Sequence, residues 1–210
     1  MSDDPRFVGR VLRASTRGFD CGNHSRKIDA QHDFGSYVCA PIANSDTVFA
    51  VGLIYKVEVK DDQLISELVL GGDLPNAILN DQRNNRIIPV EIKVLNVGYL
   101  TYADGERRCV HSLPPRPPMS LADVFACTED DIWAFTTRHD FFRIVLQASE
   151  VPSDDLIAAA IRRAAEIDPD PSGREAFLVS CGRRLAQDLS HDLKRLKHIL
   201  ALIDPNRVEA

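Results

Sequence analysis

The residues best suited to chemistry sit in a few short clusters. The segment Asn80-Asp-Gln-Arg-Asn-Asn-Arg86 sets Arg83 and Arg86 beside the amides of Gln82, Asn84 and Asn85. Guanidiniums and amides together can grip a phosphate or carboxylate through charge-assisted hydrogen bonds, so Arg83, Asn85 and Arg86 form a candidate anion- or partner-binding group. Loops are polar in any case, and solvation alone accounts for the same composition. Near the C-terminal end, Arg183, Arg184, Lys194, Arg195 and Lys197 make a candidate basic face, the kind of surface that contacts nucleic-acid backbones. Cys21, His24, His32 and Cys39 are usable zinc donors, but Cys-x2-His followed by His-x6-Cys matches no common zinc spacing. A turn histidine and buried cysteines explain them better. Asp188, His191, Asp192 and His198 read as a solvated helix face, and His139-Asp140, a base beside its orienter, lacks a visible third member.

Other chemistries lose their support by motif. A phosphate-cradling P-loop needs a glycine followed by lysine, and none of the eleven glycines is. Gly-x-Ser-x-Gly and His-Glu-x-x-His are also missing. No catalytic residue, metal or cofactor is assigned, and the chain is expected not to be an enzyme. The formal net charge of −6 argues against phosphate grip as the main occupation of the whole surface. Five scattered cysteines without a Cys-x-x-Cys pair, an acidic polar start and no apolar run near membrane-spanning length point to a cytoplasmic chain with reduced thiols.

The elements that must position these residues change character part-way along the 210 residues. In Leu53–Lys60, Leu53, Tyr55, Val57 and Val59 share one face, with Ile54, Lys56, Glu58 and Lys60 on the other. Ile88–Val94 repeats this period of two, with Ile88, Val90, Ile92 and Val94 inward. Strands with one wet side belong to an antiparallel sheet or barrel. Shorter strands are predicted at Phe7–Ala14, Tyr37–Ile42, Leu64–Leu68 and Arg107–Val110. Glycines 9, 35, 52 and 98 suit the bends by which a small sheet closes on itself.

Leu113-Pro-Pro-Arg-Pro-Pro118 reads as an extended spacer. Beyond it the period is helical. Thr128-Glu-Asp-Asp131, Ser153-Asp-Asp155 and Ser172-Gly-Arg-Glu175 are helix starts, the last with the spacing of a capping box. From Leu178 to Ile203 apolar residues recur every three or four positions, predicting one long amphipathic helix closed by Pro205. Residues 128–170 are mainly acidic and 171–210 mildly basic, so the two segments are expected to face each other in a bundle. The sequence therefore predicts an α+β protein: a small closed antiparallel β-barrel over residues 1–112, a proline-rich linker over 113–119 and a helical domain over 120–210.

Within the first part, Val8-Gly9-Arg10-Val11, the run Ser15-Thr-Arg-Gly-Phe19, Phe34-Gly-Ser-Tyr-Val38, Val48-Phe-Ala-Val-Gly52 and Val97-Gly98-Tyr99 resemble the HAS-barrel, shared by HerA DNA-translocating ATPases and rotary ATP synthase subunits. The resemblance covers about the first half of the chain. It implies a barrel that sets subunit contacts in a ring and usually precedes an ATPase core; here helices follow instead, without a Walker motif. No family site residue carries over. Three functions are compatible with these residues. The first is a non-catalytic assembly or adaptor protein that partners a HerA-type ATPase or itself through its C-terminal helices. The second is a nucleic-acid-binding accessory factor, and the third a small-molecule enzyme with an unrecognised site.

Overall fold

The computed structural model describes residues 4–60, 70, 88–103 and 105–204. Arg83, Asn85 and Arg86, and the strand expected at Leu64–Leu68, lie outside the described residues. Where β-branched and aromatic residues alternate, the chain is extended. β1 (Phe7–Ala14) and β2 (Gly18–His24) form a hairpin whose turn is tied by Ser15, its amide donating to the Gly18 carbonyl at 2.8 Å. β3 (Tyr37–Pro41), β4 (Val48–Val59), β5 (Pro89–Ala103), β6 (Glu106–Val110) and β7 (Asp123–Ala126) follow. Every pairing is antiparallel, and the order β1-β2-β5-β4-β3-β7 returns to β1. The result is a closed six-stranded barrel, with β6 added to the far end of β5.

A barrel this narrow is filled by its own side chains. Val8, Val11, Phe19, Cys21, Val38, Ala40, Ile54, Val90, Ile92, Val94, Ala122 and Val124 pack together inside it. On β5 the period-two pattern places Val90, Ile92 and Val94 inward as predicted. On β4 the assignment of faces is corrected. Ile54, expected on the wet side, is buried in the barrel, and Leu53 is buried on the opposite face, while Val57 and Val59 are exposed. The strand has two dry faces where the ring is complete. A bulge between Ile54 and Lys56 then shifts the register, and beyond it Val57 and Val59 are exposed although they pair with Ile92 and Val90.

The barrel does not end at residue 112. The proline segment lies against it: the Pro117 carbonyl accepts from the Ala43 amide at 2.9 Å, and Ile42 bridges to Pro118. Proline cannot donate to a ladder but keeps its carbonyl, so a run of prolines can border a sheet that it cannot join as a full strand. The chain then re-enters the ring as β7, between β1 and β3. The expected spacer is therefore part of the barrel wall.

Five α-helices follow among the described residues: α1 (Glu129–Thr136), α2 (Phe142–Leu146), α3 (Ser153–Ala165), α4 (Pro171–Asp188) and α5 (Leu193–Ile203). Thr128 caps α1 as predicted, accepting from the Asp131 amide at 3.1 Å. Asp170, rather than Ser172, caps α4 and accepts from the Ser172 amide, with Pro171 in the first turn. The long helix predicted from the apolar spacing is divided. The Asp192 side chain accepts from the Arg195 amide at 3.0 Å and starts α5 afresh, although Leu189, Leu193 and Leu196 preserve the spacing across the break.

The helices pack on the outer wall formed by β3, β4 and β5. Tyr37, Val51, Leu53, Leu95, Val97 and Leu100 join Phe135, Phe141, Leu156, Ile157, Ile161, Leu185 and Ile199 in one apolar cluster. Two glycines allow the close approach. A Cβ on Gly98 would stand 2.7 Å from the Phe135 ring, and Gly35, with φ of 84°, lies where a Cβ would meet that of Ala159 at 2.6 Å. The buried Tyr37 hydroxyl donates to the Ala160 carbonyl at 3.2 Å, joining barrel to α3. No helix among the described residues is long and apolar enough to cross a membrane.

Candidate interaction site

On α1 the buried side chains are Ile132, Phe135 and Thr136, spaced to face the barrel. Trp133, one residue further round from Ile132, is turned away from them and stands 44% exposed, although it is the only tryptophan of the chain. Its ring lies 6.3 Å from that of Phe177 on α4. Phe177 meets the edge of His139 at 5.8 Å, and His139 stacks on Phe142 at 5.2 Å with 20° between the planes. The four rings form a ridge that is buried at Phe142 and open at Trp133.

The helix beside this ridge is thinly buried. Of the eighteen residues of α4 only Cys181 and Leu185 are buried, with Phe177 and Leu178 partly covered and Val179 exposed. An amphipathic helix normally commits a broad stripe to the core, and α3 does so with seven buried residues. On α5 only Ile199 is buried, and Leu193 is 67% exposed.

The basic residues divide into two groups. Arg195 bonds Asp154 at 2.7 Å, the Ser153 hydroxyl at 2.8 Å and the Leu146 carbonyl at 3.2 Å, fastening α5 to α2 and α3. Arg184 bonds Asp188 at 2.9 Å and Asp140 at 3.0 Å. Arg183, Lys194 and Lys197 are exposed. The acidic and basic segments do meet, and two of the five cations expected on a basic face serve that contact, which weakens the nucleic-acid reading.

His139-Asp140 lacks a third member along the chain, and the fold brings up Ser180, whose hydroxyl lies 2.9 Å from His139 Nε2. A serine within reach of an imidazole is the start of a nucleophile–base pair. The neighbouring Asp140, however, bonds Arg138 at 2.7 Å and Arg184 at 3.0 Å. Ser180 also sits inside α4, where main-chain amides are engaged along the helix and are not offered to an oxyanion. Four of the five cysteines are poor nucleophiles too: burial pushes the Cys21 and Cys181 thiols up to about 12 and raises Cys109, while contact with Cys39 and burial raise Cys127. The four zinc-type donors do not converge. Cys21 points into the barrel, whereas Cys39 touches Cys127 on the outside, and His32 bonds Asp29 at 2.9 Å and the Val8 carbonyl at 3.1 Å. Among the described residues no group of three such side chains could hold a metal ion.

A cleft of about 630 Å³ opens where β3, α1 and α3 meet, lined by Arg6, Gln31, Ser36, Glu129, Arg163 and Glu166. Its charges are mixed and do not select one ligand class. No family model matches the chain, and no curated protein matches it. Sequence reading did not single out Trp133 or Phe177 as surface residues. The available signal was positional: Trp133 directly follows Ile132, so both cannot occupy the centre of one buried helix face.

Proposed function

We propose that this chain is a non-catalytic, cytoplasmic assembly protein that docks onto a HerA-type ring ATPase through its helical side. The observation that carries the reading is the open aromatic ridge, with the only tryptophan nearly half exposed beside a helix that buries two of its eighteen residues. Tryptophan in such a position is a common anchor of protein interfaces. The filled barrel supports the same reading, since its interior leaves no chamber for a small molecule and makes it a rigid platform. The partner class follows from the HAS-barrel resemblance. Five free cysteines, two of them buried and three half-buried, suit a reducing compartment.

The test is co-purification with a HerA-type ATPase, followed by size-exclusion chromatography with light scattering. A complex of defined stoichiometry, weakened by Trp133→Ala and Phe177→Ala, is the expected result. A strict monomer that binds no such ATPase would overturn the proposal.

A further inference from the structure

A second cleft, of about 500 Å³, lies between the end of β6, the turn joining α1 to α2, and α4. Its chemistry is unlike that of the larger cleft. Arg138, Arg143 and Arg184 reach it from three separate segments, and His111 and Asp140 complete its polar wall. Asp140 holds Arg138 at 2.7 Å and Arg184 at 3.0 Å, and Asp188 holds Arg184 from behind at 2.9 Å. Arg143 is exposed and forms no ion pair among the described residues. Three guanidiniums therefore share two carboxylates, and the surplus positive charge belongs to Arg143, which no carboxylate among the described residues pairs.

The carboxylates do more than reduce the charge. Asp140 and Asp188 fix Arg184 from two sides, so one of the three guanidiniums is set in place before any ligand arrives, while the exposed Arg138 has Asp140 alone. Preset donors lose less freedom on binding than mobile ones. His111 Nε2 lies 2.8 Å from the Phe135 carbonyl, which holds the imidazole at the wall with Nδ1 toward Asp140, 3.8 Å away.

We infer that this cleft binds the phosphate group of a small phosphorylated molecule. Guanidiniums match phosphate and carboxylate oxygens equally in shape, but convergence of three of them suits a group with several oxygens and up to two charges. The cleft also has room beyond the phosphate for the rest of a small molecule. The inference does not depend on the assembly reading, because it uses neither Trp133 nor Phe177.

Titration of the full chain with inorganic phosphate, followed by amide chemical shifts, tests it. Saturable shifts at His111, residues 138–143 and Arg184 are expected, with affinity about tenfold weaker in Arg143→Gln, as loss of one charge-assisted contact implies. Arg143 forms no ion pair among the described residues, so this variant keeps its fold, which the melting temperature checks; Arg138→Gln is the second variant. No saturable shift at these residues, or affinity unchanged in both variants, would overturn the site. Acetate titrated in parallel separates the two oxyanions: binding as tight as that of phosphate would assign the cleft to carboxylates and overturn the phosphate assignment.

Discussion

The barrel interior and the helix layer are built from similar apolar residues and use them differently. Inside the barrel, apolar side chains from six strands and the segment before β7 pack together. In the helix layer α3 is sunk into the core, while α4 and α5 carry apolar residues that the chain itself leaves partly uncovered. The difference separates two tasks. The ring closes on a buried apolar interior, and the uncovered apolar surface lies where helices are added to one flank.

The contrast predicts unequal responses to truncation. Ile92 is fully buried in the barrel, and Ile92→Ala should cost about 2–5 kcal/mol, lowering the melting temperature by roughly 5–15 °C. A change within about 0.5 kcal/mol, the usual range for surface positions, would show that the barrel is not the stable part.

Much of this barrel was legible in the sequence. The strands expected at Phe7–Ala14 and Tyr37–Ile42 and the period-two runs Leu53–Lys60 and Ile88–Val94 located β1, β3, β4 and the first part of β5. β2 was not legible: Gly18-Phe-Asp-Cys-Gly-Asn-His24 is glycine-rich and polar, and is extended because it pairs with both β1 and β5. Nor was β7, whose four residues follow the prolines and are held by β1 and β3. Tertiary pairing determines these strands, and local preference does not report it. The candidate site was less legible still. Trp133, Phe177 and His139 come from three segments, and spacing reports only that Trp133 and Ile132 cannot share the centre of one buried face.

Within the helix layer, two cations of α5 provide a finer comparison. Arg195→Ala removes bonds to Asp154, Ser153 and the Leu146 carbonyl, and should destabilise the chain by about 1–3 kcal/mol in denaturant titration. Lys197→Ala, at an exposed position, should change it by less than about 0.5 kcal/mol. Equal effects would contradict the division between structural and solvated cations.

A smaller effect comes from protonation. Burial lowers the pKa of both His111 and His139, so the unfolded chain binds more protons than the folded one between those depressed values and about 6.5. Stability is therefore full above about pH 6.5 and declines as the pH falls through that value. Asp140, held below the usual carboxylate range by Arg138 and then Arg184, keeps its contribution until the pH approaches about 4. Thermal unfolding between pH 7.5 and 5.0 should show the decline, and His111→Gln should flatten it.

On the proposed function, the open end of the aromatic ridge is a docking surface. Because the chain has one tryptophan, fluorotryptophan labelling places a single fluorine resonance at Trp133. Titration with a HerA-type ATPase should move or broaden that resonance saturably, as partner atoms replace water over the exposed ring. A resonance unchanged at ATPase concentrations where the two proteins co-purify would place the contact elsewhere and rule out docking through Trp133.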